Sequence, residues 1–222
     1  MNGPVAVHAQ TVEILAADQI ARDPSITEAQ RLLGNVKLRH QDAVLTCDSA
    51  WRFDNGDVKV FGHVHMDQPP ATTLDADYLF MDAASEWTIA EGQVHMDHEG
   101  TVLEAPSIRY HVGTRRARYL QGASIDEGEW TLSSLNGAYD AEAERLELGT
   151  EVLAIRQADT LRSDSLHWWR EEGRYRFYGP TSWRSPELAF DCQTGDVDMP
   201  STDASEPQPE GWMAGNVHVQ DG

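Results

Sequence analysis

Leucine returns through this chain on a nearly fixed beat. Leu15, Leu45, Leu74, Leu103, Leu132, Leu161 and Leu188 follow one another at intervals of 30, 29, 29, 29, 29 and 27 residues. A second beat of glycines runs between them: Gly34, Gly62, Gly92, Gly122, Gly149, Gly179 and Gly215. A period near 29 residues means one small unit stacked many times. Units that bury their faces on their neighbours make a long, thin core. Such a stack builds a surface, a groove or a rod, not one catalytic centre.

Each unit holds two alternating segments. In the segment from Val58 to Met66, the positions Val58, Val60, Gly62, Val64 and Met66 share one parity and are apolar or small. That is the period-two pattern of a strand with one buried face. Leu146, Leu148, Val152 and Ala154 repeat it, as do Tyr175, Phe177, Thr181 and Trp183. In the third unit Trp87 and Ile89 are odd while Val94 and Met96 are even. An extra residue near Glu91-Gly92, a β-bulge, accounts for the slip and puts Ile89 on the apolar face. The second segment starts at the leucine, as in Leu45-Thr46-Cys47-Asp48 and Leu74-Asp75-Ala76-Asp77. Its leucine and the small residue two places on share a face, and the aspartate points the other way.

Asn55-Gly56, Asp67-Gln68-Pro69-Pro70, Glu99-Gly100, Glu127-Gly128 and Glu172-Gly173 are tight-turn chemistry. Strands joined by such short turns are hairpins, hence antiparallel. A glycine in mid-strand marks a corner. The expectation is an all-β chain: one long antiparallel sheet, folded along its length into a V or flattened tube with apolar residues inside. Residues 23–33 hold the best helical pattern, but their place in the repeat predicts a loop leading into a strand that ends at Gly34.

The 222 residues read as a single repetitive domain spanning 11–222. Residues 200–210 form an acidic, Pro-rich solvated loop. In residues 1–10, Val7-His8-Ala9-Gln10 has the small residues that precede a signal-peptide cut, without the apolar stretch that should come before it. Either the chain starts inside a signal peptide or the pattern is chance. No apolar run approaches the ~18–20 residues of a membrane-spanning helix. The formal net charge is −20, which repels nucleic acid and anionic membranes. Lys37 and Lys59 are the only lysines; high-salt adaptation and an arginine-favouring genome both explain that.

The chemistry-bearing residues follow the repeat. His65 and His95 each lie between a valine and a methionine in equivalent strands, which makes them outward-facing, so His63, His65, His95 and His98 are not read as a metal site. Asp18, Asp48, Asp77, Asp164 and Asp191 recur once per unit, with Pro106 and Leu135 in their place twice. That pattern fits a bend or turn role, not paired catalytic acids. The aromatics Trp51, Phe80, Tyr110, Tyr139, Trp168 and Trp169 read as packing at the sheet edge. There is no phosphate-binding glycine loop, nucleophile elbow or Cys-x-x-Cys pair. No catalytic residue, metal or cofactor is expected.

The units Gly34-Asn35-Val36-Lys37-Leu38-Arg39-His40 then Leu45-Thr46-Cys47-Asp48-Ser49-Ala50-Trp51, and Phe61-Gly62-His63-Val64-His65-Met66 then Leu74-Asp75-Ala76-Asp77-Tyr78-Leu79, resemble the OstA-like family. That family includes periplasmic lipopolysaccharide-transport proteins of the LptA type. The version here is most similar to OstA-like proteins of the Bacteroidetes, over residues 12–219. The resemblance implies an elongated antiparallel β-jellyroll shaped like a folded taco. It implies a periplasmic protein that holds lipopolysaccharide acyl chains in its apolar interior and joins end to end, with other transport components, into a bridge between membranes. Two departures stand out. The surface is unusually acidic for a partner of an anionic lipid, and the outer-membrane barrel of larger family members is absent from this sequence.

On this reading the groove is lined by Val36, Leu38, Leu45, Val58, Val60, Val64, Met66, Leu74, Ile89, Val94, Met96, Leu103, Leu132, Leu146, Leu148, Leu161 and Phe177. The alternatives are a structural or adhesive β-solenoid with a closed core and, more weakly, a carbohydrate-active β-helix enzyme. The enzyme needs a unique line of acids that the sequence does not supply. The stacking also separates Cys47 from Cys192 by five units, roughly 45–50 Å at ~4.8 Å per strand, against the ~7 Å limit of a disulfide. Mass spectrometry of the unreduced protein is expected to show no bond between them.

Overall fold

The computed structural model describes residues 12–22, 28–198 and 210–221, which form eighteen strands and no helix. Residues 1–10 and 200–209, with the leader and loop expected there, lie outside the described residues. The chain opens on a broken line, β1 (Glu13–Ala16) and β2 (Gln19–Arg22). Six unbroken strands follow: β3 (Ala29–His40), β4 (Ala43–Phe53), β5 (Val58–Gln68), β6 (Thr72–Met81), β7 (Trp87–His98) and β8 (Thr101–His111). Two more broken lines come next, β9 (Arg116–Tyr119) with β10 (Ala123–Glu127), and β11 (Trp130–Ser134) with β12 (Asn136–Asp140). Then come β13 (Arg145–Arg156), β14 (Asp159–Trp169), β15 (Arg174–Arg184) and β16 (Leu188–Asp198), and a last broken line, β17 (Glu210–Ala214) with β18 (His218–Asp221).

Every line pairs antiparallel with the next one in sequence, so the sheet is one meander. At a broken line the halves divide the neighbour between them. Arg109 to His111 of β8 pair with β9, and Thr101 to Glu104 pair with β10. The expected all-β antiparallel architecture is what the chain adopts.

The bend in each long strand has a local cause. On the glycine-bearing strands two consecutive residues take positive φ: Gly34-Asn35, Gly62-His63, Gly92-Gln93 and, between β17 and β18, Gly215-Asn216. The register gains one residue at each of these places within the unbroken strands, as between Phe61 and Val64 against Tyr78 and Ala76. These are bulges, which bend and twist a strand. Glycine takes the first position because left-handed backbone is costly for other residues, and because the site is crowded. A β-carbon on Gly34, Gly62, Gly92 or Gly179 would run into the carboxylate of Asp18, Asp48, Asp77 or Asp164 respectively. Asp18, Asp48, Asp77 and Asp164 are thus corner pieces, each laid over the glycine of the following strand, whereas Asp191 pairs with Arg184 and Gly215 faces Gln193 instead. The residue after the glycine reaches back to it in two units: Asn35 Nδ2 donates to Asp18 at 2.9 Å, and His63 Nδ1 lies 2.8 Å from Asp48 Oδ2.

Where the aspartate is missing, the corner changes. After Pro106, the next line is split into β9 and β10, with Gly122 in the gap. The line carrying Leu135 is itself split, and the next corner falls on Thr150-Glu151 (φ 61° and 56°) rather than on Gly149. There the Leu135 N–H donates to the Thr150 carbonyl at 3.0 Å, and Asn136 Nδ2 donates to Thr150 Oγ1 at 3.1 Å.

Three expectations need correcting. The bulge near Gly92 is present, but it does not turn Ile89 inward. Thr88 and Ala90 are the buried residues, and half-buried Ile89 faces outward opposite Arg109. The phase slip falls instead on the leucine strands, where Cys47 and Ala50, Ala76 and Leu79, or Ala105 and Ile108 are the successive inward residues across the corner. Leu188 shares the inward parity of Phe190 and Cys192 and lies at the open end of the interior, but it is not the counterpart of Leu161. It is 37% exposed, and buried Phe190 holds the strand position that Leu161 holds in β14. Residues 29–33, expected in a loop, belong to β3, which runs straight through Gly34.

Cys47 and Cys192 are unpaired and buried, and burial pushes the Cys47 thiol up to about 11. Gly62→Ala is expected to destabilise the fold by about 1–2 kcal/mol from its left-handed backbone alone, and by more through the clash with Asp48. In an Asp48→Ala background the loss should shrink. Urea unfolding of the four proteins measures the coupling; equal losses in both backgrounds would show that the corner pair does not act together.

Candidate functional site

The folded sheet encloses one continuous apolar cluster, which runs from Val12 through β3 to β16 and reaches Cys192. It has two regimes. Between β3 and β8 it is sealed. Val36, Leu38, Leu45, Val58, Val60, Val64, Met66, Leu74, Val94, Met96 and Leu103 are at most 2% exposed. Leu146 and Leu148 of β13 are equally buried.

The seal is a polar seam where the two rims of the folded sheet meet. One rim carries the turns after β3 and β5, the other those after β6 and β8. Arg115, between β8 and β9, donates through Nη2 to Asp42 Oδ2 at 3.1 Å and to the Pro69 carbonyl at 2.7 Å. Gln68 Nε2 donates to Asp42 Oδ1 at 2.8 Å and to the Val112 carbonyl at 3.3 Å. The buried Tyr110 hydroxyl donates to Gln68 Oε1 at 2.7 Å, and burial pushes that phenol up to about 12. Gln41 Nε2 reaches Glu86 at 3.4 Å. Further along, Arg170 Nε donates to Glu127 at 2.8 Å and its Nη1 to the Tyr139 hydroxyl at 3.2 Å. His40 and His98 lie buried beneath this seam, and desolvation lowers the pKa of both. His98 Nδ1 is 2.7 Å from Thr72 Oγ1.

Towards the C-terminal end the interior opens. A cavity of about 460 Å³ lies among Leu132, Leu161, Phe177, Trp183, Phe190 and Trp212. This volume is in the range of ordinary small-molecule sites, roughly 300–1,000 Å³. Its aromatic wall is ordered. The Trp183 and Phe190 rings are 6.3 Å apart and nearly parallel, and Trp130 lies 6.1 Å from Trp183. Asp159, Ser185 and Glu187 supply its polar lining, and the Arg156 guanidinium sits 4.7 Å over the Trp130 ring while bonding Asp159 at 2.8 Å. Such a site offers apolar volume with a charged margin and no convergent nucleophile.

Of the lining residues expected from the sequence, Leu132, Leu161 and Phe177 line this cavity. Thirteen others are packed in the sealed core, and Ile89 lies outside it. Trp183, placed on the apolar face by its alternation with Tyr175 and Phe177, lines the cavity too, and sequence reasoning missed Trp130, Phe190 and Trp212. Phe190 was within reach, since it follows Leu161 by the same 29 residues that separate Leu132 from Leu161. The histidines divide. His65 and His95 lie on the outer face and meet Asp75 and Glu104 across their strand pairs, whereas His98 is inside. Tyr110, Tyr139 and Trp168 are buried, while Trp51, Phe80 and Trp169 are only partly covered.

Residues 9–164 match the family described as OstA-like protein. No curated protein matches the chain. One of the solved structures that match is LptH of Pseudomonas aeruginosa, described as the LptA-homologous periplasmic component of the conserved lipopolysaccharide transport device. It is 11% identical, covers 92% of this chain and 94% of its own, and gives a TM-score of 0.23.

Tyr110→Phe removes a hydroxyl from between two buried side chains and leaves Gln68 Oε1 short of a donor. The expected loss is about 1–2 kcal/mol in urea unfolding. No loss would show that the seam bond is not a stabilising contact.

Proposed function

The chain belongs to the OstA-like family, and from that premise we propose that it is a periplasmic conduit for lipopolysaccharide or a related lipid. The observation that carries this reading is the apolar cavity at the C-terminal end, which among the described residues is open on one side and is lined in part by core residues such as Leu132 and Leu161. Acyl chains leave water for such a surface with a gain of ~0.8 kcal/mol per buried methylene. The polar margin of Asp159, Ser185 and Glu187 leaves charged head groups outside, in water. The work is passive binding, and direction comes from energised partners, the other transport components. The protein is not an enzyme on this reading, and needs no cofactor and no nucleic acid.

Both ends support assembly into a longer bridge. Among the described residues β1 and β2 pair only with β3, and β17 and β18 only with β16. Each end thus presents backbone groups that a second copy can pair with head to tail. No helix among the described residues is long and apolar enough to cross a membrane.

The sealed stretch between β3 and β8 favours a second reading, a structural solenoid with a dry core. Site-specific photo-crosslinking in cells separates the two. A probe at Leu161 or Phe190 is expected to capture lipid, and a probe at outward-facing His65 or His95 is not. Capture at Val64 or Met96 would show that the seam parts to let lipid through. Capture nowhere, in protein of normal stability, leaves only the dry solenoid. Leu161→Trp should fill the cavity and block capture with little change in melting. Val94→Trp, in the sealed part, should instead destabilise by ~1–3 kcal/mol through overpacking.

A further inference from the structure

The outer face of the sheet carries a feature that the interior does not explain. The chain has 37 acidic side chains against 17 lysines and arginines, so carboxylates are plentiful. Some arginines on this face use them. Arg116 and Arg145 share Glu147 at 3.1 and 2.6 Å, and Arg174 and Arg176 share Asp196. Arg109 on β8 and Arg118 on β9 are different. Like Arg31, Arg52 and Arg162, they have no carboxylate within salt-bridge distance among the described residues, but these two, both exposed, stand directly opposite each other across the strand pair. Like charges placed opposite on a sheet repel. Both guanidiniums lean over the Trp87 ring, at 5.4 and 5.9 Å from its centre. A single ring face offers only modest compensation for two cations at an exposed site.

Arg118 also walls an open pocket of about 280 Å³, together with Arg116, Leu120, Asn136, Gly149 and His167. The pocket lies where β9 breaks from β10 and β11 from β12, in the units without a corner aspartate. Its acidic member, Glu147, is already engaged by two arginines. Leu120, beside it, is 75% exposed, so the pocket combines guanidinium and amide donors with an apolar lip.

We propose that Arg109, Arg118 and the adjoining pocket form an outer-face site for a phosphate monoester. Two guanidinium forks match the bidentate geometry of phosphate oxygens. A monoester carries close to two negative charges at neutral pH, which neutralises both arginines, whereas a carboxylate neutralises one. Leu120 is placed to receive an apolar continuation of the same molecule. The site faces away from the interior and stands or falls independently of whatever the cavity holds.

The test uses the full chain, with inorganic phosphate as the soluble probe. Calorimetric titration at matched ionic strength is expected to show phosphate binding over a chloride background. The Arg109→Gln/Arg118→Gln double variant should weaken it at least about tenfold, the loss expected for charge-assisted bonds. Arg184→Gln, which removes an arginine paired with Asp191 at 2.7 Å, should leave it unchanged. The double variant's melting temperature in chloride should equal or exceed that of the wild type, since a repulsion is removed; if it misfolds, Arg118→Lys, which keeps the charge and removes the fork, replaces it and should still weaken binding. Zwitterionic vesicles with and without phosphatidic acid distinguish the source. Flotation with phosphatidic acid vesicles alone assigns the site to a lipid headgroup, and phosphate binding without flotation assigns it to a soluble phosphate ester. No phosphate binding above chloride, or equal binding by wild type and double variant, overturns the proposal.

Discussion

The structure depends on a single backbone requirement: each long strand must turn a corner without leaving the hydrogen-bonded ladder. A flat sheet with one apolar face would expose that face along its whole length. The left-handed pair at Gly34-Asn35, Gly62-His63 and Gly92-Gln93 folds the sheet so that its apolar face meets itself. Everything else follows from this. The alternation of Val58, Val60, Val64 and Met66 becomes an interior, the rims come together, and the polar turn residues form a seam. The recurrence of aspartate and glycine, Asp18 with Gly34, Asp48 with Gly62, Asp77 with Gly92 and Asp164 with Gly179, is a steric relation, because each of these carboxylates occupies the space that a β-carbon on its glycine would need.

Much of this was legible in the sequence because it is repeated. Alternation fixed the inward faces of β3, β5 and β13, and turn chemistry fixed the antiparallel order. The corner aspartates were recognised as structural from their recurrence, although not which glycine each one covers. That pairing joins residues of adjacent strands, such as Asp48 and Gly62, which period alone does not match up. Ile89 was misplaced because an apolar residue on the outer face, opposite Arg109, looks the same in sequence as an inward one. Phe190 was missed because the count followed leucines, while the inward position asks only for a large apolar side chain. The seam was invisible for a different reason. Gln68, Tyr110 and Arg115 meet only after the sheet has folded over, and nothing local marks them as partners.

The interior and exterior divide the chemistry between them. Inside, the side chains of the sealed half are almost wholly buried, and free volume gathers beside the aromatic wall of Trp183 and Phe190. Outside, a strongly acidic surface is interrupted by arginines, most of them on β3, β9, β13 and β15. On the proposed reading the apolar part of a transported lipid lies inside, while the outer arginines serve a separate anion.

The meander also dictates when contacts can form as the chain is made. Each ladder joins lines that are neighbours in sequence, so a line finds its partner as soon as the next hairpin is complete. The seam is different: Tyr110 lies 42 residues from Gln68, and Arg115 lies 73 residues from Asp42. Loop-closure entropy is small for the hairpins and larger for the seam, and local topology favours rapid folding. Growth of the sheet can therefore keep pace with synthesis from the N-terminus, while sealing lags behind it by more than one unit. During that interval the newest stretch of interior is an open trough, and the order of assembly, rather than the final structure, sets how long its apolar face stays in water.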